Sequence, residues 1–182
     1  NNLAQYIGKL IDIGVASLKV EGRMRSLYYL ATVIGTYREI IDRYYDNTLT
    51  EDVLNILEER LARVANRAVS THYLLKEADA SDQYYTGRNE ASNQDYLGQV
   101  ISYDKEKQLV KFYERNYFEV GDTVELFTPS GERVSFVVKE LYDEDMNLLE
   151  VARHPDNIYY VKVDTLIDIV EYSMIRLIAS ER

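Results

Sequence analysis

The spacing of the apolar residues changes near residue 90, and this change constrains the fold more than any other feature of the sequence. Before that point, apolar side chains recur every three or four residues, which is the period of a helix face. From Tyr96 onward they alternate with polar side chains, which is typical of strands with one buried side. We therefore expect an α+β protein in which a helical region precedes a β-rich region.

Residues 1–64 predict helices around one short strand. The apolar face of the first predicted helix comprises Leu3, Ile7, Leu10 and Ile11. Gly14 is expected to end this helix, because glycine is common just after helix C-termini. The partly β-branched run 15–20 predicts a strand, and residues 21–23 predict a tight loop. Helix, strand, loop and helix form the order of an α/β unit. Because one strand cannot bury itself, this region is predicted to be part of a larger α/β domain.

Two longer helices follow the loop. Ser26 is a suitable N-cap for the first, and Asp46-Asn47 is expected to end it. Thr50 is a suitable N-cap for the second, which has Glu51 and Asp52 in its first turn. The predicted buried stripes are Leu30, Val33, Ile34, Tyr37, Ile40, Ile41 and Tyr44 in the first helix, and Leu54, Leu57, Leu61 and Val64 in the second.

The remaining chain predicts a linker and a β-domain. Residues 65–95 are irregular and end in a polar, turn-rich stretch, which indicates a linker. Residues 96–182 predict a small antiparallel barrel or sandwich, because short strands alternate with turn signals. The predicted strands are 96–103, 108–113, 123–128, 133–142, 148–151, 158–163 and 166–172.

The composition excludes several kinds of site. The chain has no cysteine, which excludes a disulfide, a thiol nucleophile and a cysteine-ligated metal site within it. Its formal net charge of −10 argues against direct nucleic-acid binding, which depends on clustered Lys and Arg. The absence of cysteine and of a bilayer-spanning apolar run leads us to expect a cytoplasmic protein.

Two segments resemble a known protein family. Residues 13–26 (IGVASLKVEGRMRS), followed by Tyr28-Tyr29 and Tyr37-Arg38, are similar to a segment of the collagenase-like proteins of peptidase family U32. Residues 66–73 (NRAVSTHY) are similar to a second segment, although His72 stands where the family usually has Gly. The β-rich region is similar in layout, and its matching parts are Tyr96–Val100, Arg115–Asp122 and His154-Pro155.

This resemblance implies a fold for each region. Residues 1–64 would be the last piece of a barrel-like α/β domain. Residues 96–182 would form a β-barrel akin to the second domain of translation elongation factors. The family's cysteine-containing signature would precede Asn1, so an N-terminal catalytic domain is the expected partner. An iron–sulfur cluster or another metal would then lie upstream, and we expect no cofactor in this segment.

The resemblance also implies three alternative functions. The parent protein would be a peptidase, a collagenase in some members, or a factor that takes part in hydroxylating a wobble uridine of transfer RNA. The third alternative assigns the β-domain itself a role as an interaction module that docks the catalytic domain, a protein partner or a second copy. We expect no peptidase activity from this segment alone, because its residues supply no nucleophile–base pair or metal centre.

Glu21 and Arg23 are the predicted catalytic residues. They directly follow a predicted strand, and the strand-to-helix loops of barrel-like α/β folds form the active face. A carboxylate there can act as a base or metal ligand, and a guanidinium can bind a carboxylate or phosphate. Alternatively, both residues only pin the loop, with Gly22 supplying the turn. Lys19 is a candidate substrate-binding residue if it points into the barrel, and a solvated side chain if it does not.

Other candidate sites are weaker. His72 and His154 lack the spacing of a zinc site, so no metal site is predicted. The acidic run Asp143–Asn147 lacks the Gly and distal Glu of a calcium-binding loop and predicts a solvated turn. Phe118 is predicted to be a core residue, and Gly121-Asp122 to form a turn between strands.

Overall fold

The computed structural model describes residues 2–64, residue 74 and residues 95–179. The chain divides into two compact units, Asn1–Asn93 and Gln94–Arg182. Within the described residues the first unit contains the helices and the second contains the strands, as the change of period predicts. The segment 66–73, with His72, lies outside the described residues, as does nearly all of the predicted linker.

Four helical elements form the described part of the first unit. A 3-10 turn over Ala4–Tyr6 leads into helix α1 (Ile7–Asp12), and α2 (Leu27–Tyr45) and α3 (Glu51–Val64) follow. None of the described helices is long and apolar enough to cross a bilayer.

The predicted N-caps are confirmed. The Ser26 hydroxyl accepts a hydrogen bond from the Tyr29 N–H at 3.1 Å, at the start of α2. The Thr50 hydroxyl accepts one from the Val53 N–H at 3.3 Å, at the start of α3. In each case a side-chain oxygen satisfies a backbone donor that has no partner within the helix.

Gly14 ends α1, as predicted. Its φ is +85°, a left-handed conformation that glycine adopts without steric cost. The N–H of Gly14 donates to the Ile11 carbonyl at 2.9 Å, and the N–H of Val15 donates to the Leu10 carbonyl at 3.0 Å. This pair of bonds satisfies carbonyls at the end of the helix. Asn47, at φ +56°, ends α2 in a similar way.

The predicted stripe of α2 is wrong in part. Val33 and Ile40 are buried, but Ile34 is 54% exposed. The buried face instead includes Tyr28, Thr32 and Thr36. The error arises because Ile34 lies beside an open groove and not against another helix. In α3 the prediction is better, since Leu57, Leu61 and Val64 are all buried.

The predicted strand at 15–20 is not formed. The run has no regular secondary structure, and no backbone hydrogen bond joins residues 16–21 to any part of the chain that the structure describes. A strand requires a neighbour to pair with, and the described residues provide none here.

Ten strands form the part of the second unit that the structure describes. They are β1 (Tyr96–Asp104), β2 (Leu109–Glu114), β3 (Phe118–Glu119), β4 (Thr123–Phe127), β5 (Arg133–Val137), β6 (Leu141–Tyr142), β7 (Leu148–Leu149), β8 (Val151–Ala152), β9 (Ile158–Lys162) and β10 (Met174–Ala179). Eight of them form one sheet in the order β5-β4-β10-β1-β2-β9-β6-β7, and β3 pairs with β8. All of these pairings are antiparallel.

The sheet curls around a single core. Side chains from both ends of the strand order, such as Leu126 of β4 and Leu141 of β6, belong to the same buried cluster. Phe118 is in this cluster, as predicted, with an exposed fraction of 1%. Its ring lies 5.8 Å from that of Phe112 between centroids, and both rings are fully enclosed. The second unit is therefore a curled antiparallel sheet with its own hydrophobic interior.

Three predicted strands are wrong. The run 133–142 is interrupted because the Val138 N–H and carbonyl bond to the turn at Gly121-Asp122, and pairing resumes at Leu141-Tyr142. The run 148–151 is divided between β7 and β8, which pair with different strands. Residues 166–172 form bends and turns, and the strand begins later, at Met174. Leu166 is completely exposed, so its apolar character misled the prediction.

Candidate functional site

The loop from Glu21 to Arg25 connects run 15–20 to α2. The Glu21 carboxylate accepts a hydrogen bond from the Arg23 N–H at 3.0 Å, and the Arg25 N–H donates to the Gly22 carbonyl at 2.9 Å. Ser26 then caps the helix. These three contacts fix the path of the loop without contribution from an ion pair between the two predicted catalytic side chains.

Gly22 packs closely against α2. A Cβ at this position would lie 2.0 Å from Leu30 Cδ2, in the second turn of α2. Gly22 is also buried, whereas its neighbours Glu21 and Arg23 are exposed. The glycine thus lets the loop press against the helix, and the flanking charged side chains point outward.

An open groove of about 820 Å³ lies beside this loop. Its apolar walls are formed by α1, α2 and run 15–20, and include Leu3, Ile7, Leu10, Ile11, Val33, Ile34 and Ile41. Polar groups line it as well, among them Lys19, Glu21, Tyr29, Tyr37 and Arg38. A concave apolar surface with a few convergent polar groups is the usual form of a binding site.

The structure brings two of the three predicted site residues to this groove. Lys19 and Glu21 line it, and both are exposed. Arg23 is not among the lining residues. The roles of all three therefore stay predictions, and the Glu21–Arg23 backbone contact fits the alternative in which Glu21 shapes the loop.

Two tyrosines of α2 bind residues that precede or belong to α1. The Tyr37 hydroxyl accepts from the Leu3 N–H at 2.9 Å and donates to Asn2 Oδ1 at 3.0 Å, and burial raises the pKa of this phenol. The Tyr44 hydroxyl donates to Asp12 Oδ1 at 2.6 Å, and this bond to a carboxylate raises its pKa. Both phenols remain protonated at neutral pH and fasten the N-terminal helix to α2.

The other charged groups of α2 have structural partners. Arg38 forms an exposed ion pair with Asp42, one turn along the helix. Glu39 binds Arg43 at 3.0 Å and Arg60 of α3 at 2.8 Å, which joins the two helices.

The described residues do not fit an iron–sulfur cluster or a metal centre. The chain has no cysteine to ligate a cluster. Over the ranges 2–64 and 95–179, no group of three or more His, Asp or Glu side chains could hold a metal ion. Asp143 instead closes a turn, since its carboxylate accepts from the Asn147 N–H at 2.8 Å and from the Asn147 amide at 2.9 Å. The Asn147 side chain lowers the pKa of Asp143.

Sequence reasoning missed a buried ion pair and a buried carboxyl in the second unit. Arg176 of β10 forms an ion pair with Glu125 of β4, with side chains 8% and 13% exposed. Glu114, at the end of β2, is fully buried. The alternation of Val110, Phe112 and Glu114 would have placed Glu114 inward had the predicted strand been extended by one residue.

Comparison with known proteins identifies both halves of the chain. Residues 1–84 match peptidase family U32, and residues 92–176 match the peptidase family U32 C-terminal domain. The chain is 36% identical over 162 residues to tRNA hydroxylation protein P1 of Bacillus subtilis, covering 89% of this chain and 38% of that protein. It is 28% identical over 137 residues to a collagenase of Porphyromonas gingivalis, covering 75% of this chain and 38% of that protein.

A solved structure shows similarity to the second unit. It is the C-terminal domain of a U32-family protein of Geobacillus thermoleovorans, with 36% sequence identity and a TM-score of 0.44. The match covers 47% of this chain and 93% of that domain. The chain thus spans well under half of the two full-length relatives named above, at 38% of each. Because the two family patterns together match residues 1–84 and 92–176, the chain belongs to peptidase family U32.

Proposed function

We propose that this chain is the carboxy-terminal portion of a U32-family enzyme, in which residues 1–64 complete an N-terminal catalytic domain of barrel-like α/β architecture. The observation that carries the proposal is the stretch 16–21 of the predicted strand and its loop, whose backbone has no hydrogen-bonding partner among the described residues. Exposed apolar side chains lie along run 15–20, since Val15 and Leu18 are each 40% exposed. A run with these properties is suited to pair with strands from the rest of the protein.

The same arrangement supports a role for the loop that follows. In a completed barrel the end of run 15–20 would lie at the active face, with Glu21 and Lys19 beside the groove. Glu21 would then serve as a general base or metal ligand, and Lys19 would bind substrate. Arg23 would bind a carboxylate or phosphate of the substrate. Any iron–sulfur cluster or metal would come from the upstream domain.

Peptidase activity, including collagenase activity, is the first candidate reaction. It is supported by the family assignment and by the P. gingivalis relative, which is named a collagenase. The residues described here provide no nucleophile–base pair, so residues 1–182 alone should not hydrolyse gelatin. Gelatin hydrolysis by this segment alone would contradict the assignment of catalysis to the upstream domain.

Transfer-RNA hydroxylation is the second candidate reaction. It is favoured by the B. subtilis relative, because the match to it is longer and more identical than the match to the collagenase. The net charge of −10 makes this segment poorly suited to bind RNA directly, so RNA binding would fall to the upstream domain.

One experiment separates the two candidate reactions. The parent gene is deleted, and hydroxylated wobble uridine in transfer RNA is measured by mass spectrometry beside gelatin hydrolysis in extracts. Loss of the modified uridine supports the transfer-RNA role, and loss of gelatin hydrolysis supports the peptidase role. If neither changes, both candidate reactions are contradicted.

Complementation then tests the site. The deleted strain receives the full-length gene carrying Glu21→Gln or Arg23→Gln, and protein levels are checked by immunoblot. We expect wild-type protein levels and loss of the affected activity. The matched controls are Glu59→Gln and Arg153→Gln, since both side chains are exposed and neither residue belongs to the loop. Full activity of the Glu21 and Arg23 variants would assign these residues to loop structure only.

For the second unit we propose a barrel akin to the second domain of elongation factors, which acts as an accessory module. Its separate core supports this proposal. The module would dock the catalytic domain, a protein partner or a second copy of the chain. Residues 94–182, once circular dichroism has verified their fold, can be used to capture the separately expressed upstream domain. Failure to bind it would contradict docking within the protein.

We also propose that the protein is cytoplasmic. The absence of cysteine is compatible with a reducing compartment. Cell fractionation with an antibody against the chain tests this, and recovery outside the cytoplasmic fraction would contradict it.

A further inference from the structure

Glu114 combines complete burial with missing hydrogen bonds. Its exposed fraction is 0%, and it follows Val110 and Phe112 on the core-facing side of β2. Among the described residues, neither of its carboxyl oxygens has a hydrogen-bond partner. Burying an ionised carboxylate without a partner is costly, whereas a protonated carboxyl is tolerated far better.

The strand opposite offers this carboxyl no donor. Gly98 of β1 is the residue paired with Glu114, and it has no side chain. A Cβ at Gly98 would lie 2.2 Å from the Tyr113 carbonyl oxygen and 2.7 Å from Phe112 Cδ2. The two strands are therefore too close at this point for a larger residue that could supply a hydrogen bond.

The backbone of Glu114 fastens the turn at 153–157. The Glu114 N–H donates to the Asn157 carbonyl at 3.0 Å, and the Asp156 N–H donates to the Glu114 carbonyl at 2.8 Å. Asp156 adopts a left-handed conformation, with φ +68°. The turn is thus held to β2 by two backbone bonds that flank the buried carboxyl.

The charged groups around Glu114 favour its protonated form. Burial, and secondly the negative charge of Asp156, raise the pKa of Glu114 from 4.5 to about 7. Arg115 is committed to an ion pair with Asp156. The turn's Arg153 and His154 are exposed.

Cations on β9, which pairs with β2, and on β10, which does not, are also engaged. Arg176 of β10 binds Glu125, and Lys162 of β9 binds Glu140 at 3.3 Å. Among the described residues, the charge that acts on Glu114 is therefore the like charge of Asp156.

We propose that Glu114 is a proton-sensitive latch, which keeps the 153–157 turn fastened to β2 when protonated and loosens it when ionised. An ionised Glu114 gains hydration if the turn opens, and opening also separates it from Asp156. The folded-state pKa lies above the ordinary value, so the stabilisation is fully present below about pH 4.5 and is lost as pH rises through about 7. The latch therefore operates in the pH range of cells.

The test uses the complete 182-residue chain. Carbon-13 NMR of the glutamate carboxyls gives the titration midpoint of Glu114, which we expect near pH 7. Hydrogen exchange at the Asp156 amide is measured at several values between about pH 5 and pH 8 and corrected for intrinsic exchange. Relative to Glu114→Gln, the wild-type amide should lose protection on the order of a hundredfold across this range.

Two further variants make the outcome decisive. Glu144→Gln removes an exposed carboxyl of the same unit and should leave the pH dependence unchanged. Asp156→Asn removes the like charge, and Asn tolerates the left-handed backbone, so the Glu114 midpoint should move to lower pH even if Glu114→Gln does not fold. A Glu114 midpoint near 4.5, or equal pH dependence in the wild type and Glu114→Gln, would overturn the proposal.

Discussion

The two units differ in how completely they bury their apolar side chains. The second unit encloses a cluster that includes Phe112, Phe118 and Leu126, each at most 1% exposed. In the first unit Ile13 is 76% exposed and Met24 91% exposed, although both flank the helices. The comparison teaches that hydrophobic content alone does not determine burial. A curled sheet encloses its own interior, whereas helices beside run 15–20 leave one side open.

Backbone hydrogen bonds show the same contrast. Every strand of the second unit pairs with a neighbour in the described structure. In the first unit the helices satisfy their own backbones, but run 16–21 makes no backbone hydrogen bond within the described residues. A strand needs a neighbouring strand for its backbone hydrogen bonds, whereas a helix makes them internally. In an isolated α/β unit, the strand is therefore the element that lacks hydrogen-bond partners.

The largest expected effect is in the enclosed core. Phe112→Ala should lower the free energy of unfolding of the second unit by about 3–5 kcal/mol, because it leaves a cavity inside the curled sheet. Urea unfolding followed by pulsed hydrogen exchange and mass spectrometry reports each unit separately. Leu166→Ala, at a fully exposed site, is the control and should change stability by less than about 0.5 kcal/mol. Similar effects of the two variants would contradict the enclosed core.

The next effect concerns the buried ion pair of the sheet. Arg176→Ala should lower the free energy of unfolding by about 3 kcal/mol, because it leaves the charge of Glu125, whose side chain is only 13% exposed, without its partner. The Arg176 guanidinium also lies 5.2 Å from the centroid of the Phe127 ring. The same urea experiment measures the change.

Lys162→Ala is the matched control for this pair. Lys162 and Glu140 are 43% and 38% exposed, so water screens their attraction and the cost should stay below about 1 kcal/mol. Equal costs for the two variants would show that burial does not distinguish these pairs.

A smaller effect is expected at the start of α2. Ser26→Ala should cost about 1 kcal/mol, because the Tyr29 N–H loses its acceptor. The loss should appear as faster exchange at the Tyr29 amide. Ser26→Asp keeps an acceptor oxygen and should restore protection. Unchanged exchange in Ser26→Ala would contradict the cap.

The smallest effect is expected on the open side of α2. Ile34→Ala should change the stability of residues 1–182 by less than about 0.5 kcal/mol, since its side chain is already 54% exposed and Ala favours helix. Ile40→Ala, fully buried on the same helix, should cost about 2–4 kcal/mol. A large loss from Ile34→Ala in this segment would show that the groove is already filled, and would break the comparison between the units.

Local signals allowed much of the fold to be predicted. Ser26, Thr50 and Gly14 act within one helical turn, so their roles depend on neighbouring residues only. The long helices were predicted for the same reason. Most strands were also predicted, since alternation survives wherever one side of a strand is buried.

What the sequence did not reveal depends on distant contacts. The break after Val137 arises because Val138 bonds to the turn at Gly121-Asp122, and no local signal encodes that contact. Strand β10 was missed because the apolar residues of run 166–170 led us to predict the strand there, earlier in the chain. Only Ile169 of that run is buried.

The candidate site was predicted in part for a related reason. The motif around Glu21 and Arg23 is local, so the loop and its glycine were expected. The groove beside Lys19 and Glu21 was not predicted, because side chains of α1 and α2 that line it were expected to be buried. Glu114 was missed because its raised pKa depends in part on Asp156, which is 42 positions away in the chain. It also depends on the close approach of the strand at Gly98, which has no side chain.

The position of β10 in the sheet affects how the protein is made. β10 lies between β1 and β4, so it bridges two parts of the sheet that have no other direct pairing. While a ribosome translates the second unit, β4 and β5 cannot join β1 and β2 until β10 has left the exit tunnel. Apolar faces such as that of Leu126 stay uncovered until then. The nascent second unit is thus expected to need chaperone protection, and to fold only after translation of β10 is complete.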